Sequence, residues 1–103
     1  MDLRQLRYFL AVVEHGSFTR AAAATGRTQQ ALSKGIQALE QQLGARLFER
    51  GARQVRLTEV GRLLVEHARP ASEVVRRFED RLHELQTGAE GQVRIGTGPS
   101  TAS

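Results

Sequence analysis

The chain has 103 residues, no cysteine, and 15 Lys/Arg against 11 Asp/Glu, for a net charge of +4. That length suits one small domain plus an appended element. The lack of cysteine excludes a disulfide framework and a thiolate zinc site, and agrees with a reducing cytosol.

No apolar run reaches transmembrane length, and Arg4, Gln5 and Arg7 break up the early apolar residues, unlike a signal peptide. A cytoplasmic protein with no membrane partner is expected. The charge is uneven. Residues 1–57 hold nine Arg/Lys against four Asp/Glu, whereas residues 58–87 hold five against six. A localised cationic field favours a polyanionic partner.

Leu6, Phe9, Leu10 and Val13 mark the buried face of a first helix, roughly residues 3–14. Gly16 suits its end, and Ser17 can cap a short, alanine-rich second helix from Phe18 to about Ala24. Thr25, Gly26 and Arg27 make a turn, and Thr28 is placed to cap a third helix that Gly44 closes.

The third helix has two unlike faces. Leu32, Gly35, Ile36, Leu39 and Leu43 follow the rhythm of a buried stripe. Gln29, Ser33 and Gln37 form a second stripe, with Gln30 and Lys34 beside it and no carboxylate before Glu40. Amides, a hydroxyl and a cation can hydrogen-bond base edges in a major groove without being repelled by phosphate. This is the pattern of a helix-turn-helix with an exposed recognition helix.

Val55 and Leu57 alternate with Gln54 and Arg56, as in a half-buried strand. With Leu47, Phe48 and Glu49 across a turn at Gly51 and Ala52, they predict a two-stranded β-wing bearing Arg50 and Arg53. Thr58 can cap a long fourth helix, with Glu59 favourably placed against its dipole. Val60, Leu63, Leu64, His67, Ala71, Val74, Val75, Phe78, Leu82 and Leu85 give that helix one largely apolar face. So small a core cannot cover it, which predicts a homodimer. Pro70 removes a backbone donor and crowds the carbonyl of Glu66, so a bend is expected at residues 66–70. Gln92 to Ile95 reads as one terminal strand with no partner, as if the chain continued into another domain.

Catalytic chemistry is not legible. His15, His67 and His83 are far apart, Ser17 and Ser33 lack a nucleophile elbow, and Gly96-Thr97-Gly98 lacks the rest of a phosphate loop. No enzyme and no cofactor site are expected. The residues also fit a helical dimeric protein-interaction module, or a winged-helix regulator without a long dimer helix. An interaction surface would carry aromatic or aliphatic anchors where this one carries glutamines, a serine and a lysine, which favours DNA.

Several segments fall in one order. They are Met-Asp-Leu-Arg-Gln-Leu-Arg-Tyr-Phe, Gly-Ser-Phe-Thr-Arg-Ala-Ala, Gln-Gln-Ala-Leu-Ser-Lys, Leu-Glu-Gln-Gln-Leu-Gly-Ala-Arg-Leu-Phe-Glu-Arg and Val-Arg-Leu-Thr-Glu-Val-Gly. Over about residues 1–96 this resembles the N-terminal region of LysR-type transcriptional regulators. The resemblance implies a mainly α fold: a winged helix-turn-helix over residues 1–57, and a linker and dimerisation helix over 58–87. Residues 88–103 would be the hinge and first strand of an effector-binding domain. It further implies an interrupted inverted-repeat operator in double-stranded DNA, a small-molecule inducer on that C-terminal domain, and tetramers of the full-length protein.

In the family a Ser-Gln-Pro-Ala-Leu-Ser-Arg stretch opens the recognition helix and contacts DNA. Thr28 stands at its first Ser, Gln29 at Gln, Ser33 at the second Ser and Lys34 at Arg, while Gln30 replaces Pro. Gly35 stands where a longer polar residue is common, and the wing keeps Arg50 and Arg53. The expected DNA-binding set is therefore Thr28, Gln29, Gln30, Ser33, Lys34 and Gln37 for base and nearby phosphate contacts. Arg50 and Arg53 are expected on backbone or minor groove, and Thr19, Arg27 and Thr28 as phosphate positioners.

Overall fold

The computed structural model describes residues 1–49, 51 and 54–88. The expectations placed on Arg50, Arg53 and the strand at 92–95 lie outside these residues. Four helices follow in order: α1 (Leu3–His15), α2 (Phe18–Thr25), α3 (Gln29–Leu43) and α4 (Glu59–Gly88). The chain divides into two compact units, residues 1–72 and 73–103.

Each helix of the first unit begins on a capping side chain. Asp2 and Gln5 form a reciprocal capping box, in which Gln5 N–H donates to Asp2 Oδ1 at 2.8 Å and Asp2 N–H donates to Gln5 Oε1 at 3.0 Å. Ser17 Oγ accepts from Arg20 N–H at 3.1 Å, and Thr28 Oγ1 accepts from Ala31 N–H at 3.0 Å. Such caps stabilise by about 1 kcal/mol each, because the first turn of a helix otherwise leaves its N–H groups unpaired. Gly26 ends α2 at φ +69°, a left-handed conformation that costs glycine little. The turn is then closed by Arg27 N–H donating to Ala22 C=O at 2.9 Å.

α1, α2 and α3 pack on one another around Phe9, Val12, Ala21, Leu32 and Leu39, all without exposed surface. Leu47 and Phe48, from the segment after α3, complete this core. The Phe48 ring lies 5.5 Å from Phe9 and 5.6 Å, nearly edge-on, from Phe18. Burial of each large side chain here stabilises by about 1.5–3 kcal/mol.

The buried face of α1 differs from the one expected. Gln5, Tyr8, Phe9 and Val12 are buried, whereas Leu10 and Val13 are only partly so and Leu6 is half-buried. The capping box contributes to the rotation: it gives Gln5 Oε1 a local donor, the Asp2 N–H, so this polar side chain is held inward at the helix start. Leu43 is also exposed rather than part of the buried stripe, because it is the last residue of α3.

Among the described residues, the base of the expected wing holds one antiparallel bridge, Phe48 to Leu57. Glu49 N–H donates to Arg56 C=O at 2.8 Å, and Thr58 N–H to Leu47 C=O at 2.9 Å. Thr58 then does two things at once. Its hydroxyl donates to Arg46 C=O at 2.6 Å and accepts from Gly61 N–H at 3.0 Å, so the wing base and the start of α4 are tied together. α4 continues through Pro70 as helix. Glu66 and Pro70 are exposed, so water can satisfy the carbonyl that the proline leaves without a donor.

Candidate nucleic-acid interface

The polar face of α3 is built by its own buried face. Leu32, Ile36 and Leu39 anchor the helix in the core. The 3.6-residue repeat then turns Gln29, Gln30, Lys34 and Gln37 outward, with Ser33 half-buried between them. Thr28, Gln29, Gln30, Ala31, Ser33, Lys34 and Gln37 line one open depression along the helix. The whole set expected on base edges is thus brought together on one surface.

Thr28 caps the helix through an oxygen lone pair, which leaves its hydroxyl proton for another partner. Thr19 lies beside the start of α3, where its hydroxyl donates to Gln29 Oε1 at 3.1 Å. Arg27 is exposed in the turn between α2 and α3.

The electrostatics of this face follow from the sequence. Between Phe18 and Leu39 the charged residues are Arg20, Arg27 and Lys34, all cations and all exposed. The first carboxylate, Glu40, is turned to the backbone beyond the helix. Its Oε2 accepts from Leu47 N–H at 2.7 Å and Phe48 N–H at 3.4 Å, which fixes the segment leading to the wing. From sequence Glu40 marks only the end of the carboxylate-free face. No local motif announces a carboxylate that caps amides seven and eight residues on.

In the first unit, α4 presents Val60, Leu63, His67 and Ala71 to solvent, while Leu64 is half-buried against this chain's own core. In the second unit, Val74, Phe78, Leu82 and Leu85 are exposed and Val75 is half-buried. Spacings of four, four and three put the four exposed residues on one stripe of the helix. Two pairs along this stretch, Glu73 with Arg76 and Arg81 with Glu84, sit one turn apart at 3.5 and 3.9 Å. No helix among the described residues is long and apolar enough to cross a membrane.

A capped helix-turn-helix whose second helix shows a polar face free of carboxylates from Gln29 to Gln37, with a wing base beside it, defines a class of DNA-binding domain. Comparison with known proteins makes it specific. Residues 3–62 match the bacterial regulatory helix-turn-helix proteins of the lysR family, and the chain belongs to that family. It is 51% identical over 98 residues to the SDS degradation transcriptional activation protein of Pseudomonas sp. (strain ATCC 19151), covering 95% of this chain and 32% of that protein. The RuBisCO operon transcriptional regulator of Allochromatium vinosum is 41% identical over 95 residues, covering 92% of this chain and 32% of that protein. The chain thus spans about a third of the length of these relatives.

Solved structures agree. The BenM DNA-binding domain in complex with catB site 1 DNA has a TM-score of 0.77 and 41% identity, covering 82% of this chain and 96% of that one. The CbnR DNA-binding domain in complex with DNA has a TM-score of 0.72 and 40% identity, covering 81% of this chain and 95% of that one.

Proposed function

We propose that this chain binds double-stranded DNA sequence-specifically as a homodimer and thereby regulates transcription. α3 enters the major groove, where Gln29, Gln30, Ser33, Lys34 and Gln37 meet base edges and nearby phosphates. Arg27 and Thr28 position the backbone. Arg50 and Arg53 on the wing add contacts to the backbone or minor groove. The observation that carries this reading is the depression along α3, lined by amides, hydroxyls and a lysine and by no carboxylate. The DNA complexes of BenM and CbnR domains support it.

Residues 58–87 act as the linker and dimerisation helix, so the operator is an interrupted inverted repeat. Residues 88–103 lead toward an effector domain of the kind that the greater length of the relatives leaves room for, and a small-molecule inducer acts there.

Selection of bound duplexes from a random library tests this. Two inverted half-sites at fixed spacing are expected. On the recovered duplex, Gln29→Ala is expected to cost about 1–3 kcal/mol, the worth of a direct base contact. Binding to random DNA is expected to change little. Equal losses on both would overturn Gln29 as a reader, and recovery of no motif would overturn sequence-specific binding.

A further inference from the structure

We infer that Thr19 is a positioning residue for base readout, holding the Gln29 amide with Oε1 turned back to the protein and its NH2 group offered to the groove. The inference rests on the reading of Gln29 as a base contact. Thr19 is the second residue of α2 and Gln29 the first of α3, so this hydrogen bond spans the two helices of the helix-turn-helix. Both side chains are exposed, and they meet at 3.1 Å.

The chemistry of the two groups sets the consequence. A glutamine amide can offer either its carbonyl or its NH2 to a base, and the two read opposite patterns. The carbonyl accepts from adenine N6 or cytosine N4, whereas the NH2 donates to purine N7, guanine O6 or thymine O4. An unrestrained amide can rotate to suit either. With Oε1 engaged by Thr19, neither proton of Nε2 meets an acceptor among the described residues, and both remain for the groove. In free protein, water competes with this hydrogen bond and its net worth is small. Under bound DNA the water is excluded, and breaking the bond to rotate the amide leaves polar groups unpaired. Thr19 therefore acts on discrimination, through Gln29, more than on affinity.

The test uses the chain with the consensus duplex recovered by selection, remade with each of the four base pairs at the position where Gln29→Ala loses preference. Thr19→Val keeps the branched shape and removes the hydroxyl, while Thr19→Ser keeps the hydroxyl. Thr19→Val is expected to weaken binding to the preferred base pair by about fivefold, the worth of one net hydrogen bond, and to leave the others nearly unchanged. Thr19→Ser should retain the preference. In a Gln29→Ala background Thr19→Val should have no further effect. Circular dichroism checks that each variant keeps its helix content.

An unaltered base ranking in Thr19→Val overturns the inference while leaving Gln29 as a reader intact. So does an equal loss on all four duplexes with a flatter salt dependence, which would make Thr19 a phosphate contact. If Gln29→Ala itself changes no preference at any position, the underlying reading has failed and the inference falls with it.

Discussion

The ring of Tyr8 on α1 packs directly over Gly35 on α3, where a Cβ would stand 2.7 Å from Tyr8 Cδ2. The pair explains a glycine in the middle of the helix that carries the proposed DNA contacts. Glycine there costs about 1 kcal/mol of helix propensity relative to alanine. That cost is offset by the close seating of a large, 9% exposed ring against the helix backbone. Gly35→Ala recovers the propensity but overpacks the α1–α3 contact, at about 1–3 kcal/mol. A net loss of about 1 kcal/mol is expected, lowering the melting temperature by about 4–8 °C. Tyr8→Leu in the same chain should recover part of it. A higher melting temperature for Gly35→Ala would show that the ring moves aside at no cost.

A tighter approach occurs at Gly61, in the first turn of α4. A Cβ there would collide with the Leu47 carbonyl oxygen and stand 2.8 Å from Leu57 Cδ2. The obstacle is backbone, and the same carbonyl accepts from Thr58 N–H, so it cannot move without loosening the wing base. Gly61→Ala is expected to destabilise the chain by about 2 kcal/mol or more, above the cost at position 35. Thermal unfolding of both variants gives the order. Equal or smaller damage at Gly61 would mean that α4 is not held against Leu47.

These two glycines show where the sequence is legible and where it is not. The helix starts at Ser17, Thr28 and Thr58 are readable because a hydroxyl precedes an apolar-periodic stretch, a signal contained within four residues. The polar face of α3 is readable because its periodicity is local too. Periodicity misplaces the buried face of α1 because Gln5 and Tyr8 count as polar or half-polar until their partners are known. The capping-box signal at Asp2 and Gln5 is present in the sequence and corrects it. Gly35 reads as a weakness because its reason, Tyr8, is 27 residues earlier in the chain. Glu40 and Gly61 act on backbone groups seven and fourteen residues away, and no pattern of side chains encodes that. The hydrogen bond from Thr19 to Gln29 joins residues ten apart, and it becomes visible only once α2 and α3 are packed.

The wing arginines are expected to supply electrostatic affinity with little base choice. Replacing Arg50 and Arg53 together by Ala should weaken binding to specific and random duplexes alike. It should also reduce the slope of log affinity against log salt by about one for each phosphate that an arginine no longer neutralises. Titrations at several salt concentrations measure this directly. An unchanged slope would show that neither side chain meets phosphate, and a weakening confined to the selected operator would make them base readers instead.

The apolar stripe on α4 sets how two such units reach DNA. Val74, Phe78, Leu82 and Leu85 are 41–68% exposed, and Phe78, at 63%, is the largest of them. A helix whose apolar stripe meets only solvent gains free energy by laying it against another surface, and a second copy offers the same stripe in complement. The flanking pairs Glu73–Arg76 and Arg81–Glu84 are neutral in sum, so they do not oppose association of two copies. Phe78→Asp would place a carboxylate where the partner's stripe must dry, with a like charge related to it by the two-fold axis. The side chain is exposed in the single chain, so helix content by circular dichroism should be preserved. By sedimentation at micromolar concentration the unaltered chain is expected to be dimeric and the variant monomeric. Because dimerisation makes binding of the second half-site intramolecular, the variant should lose about a hundredfold or more on a two-half-site operator. Its affinity for a single half-site should hardly change. A monomeric parent chain, or a variant that remains fully dimeric, would remove Phe78 from the centre of the interface.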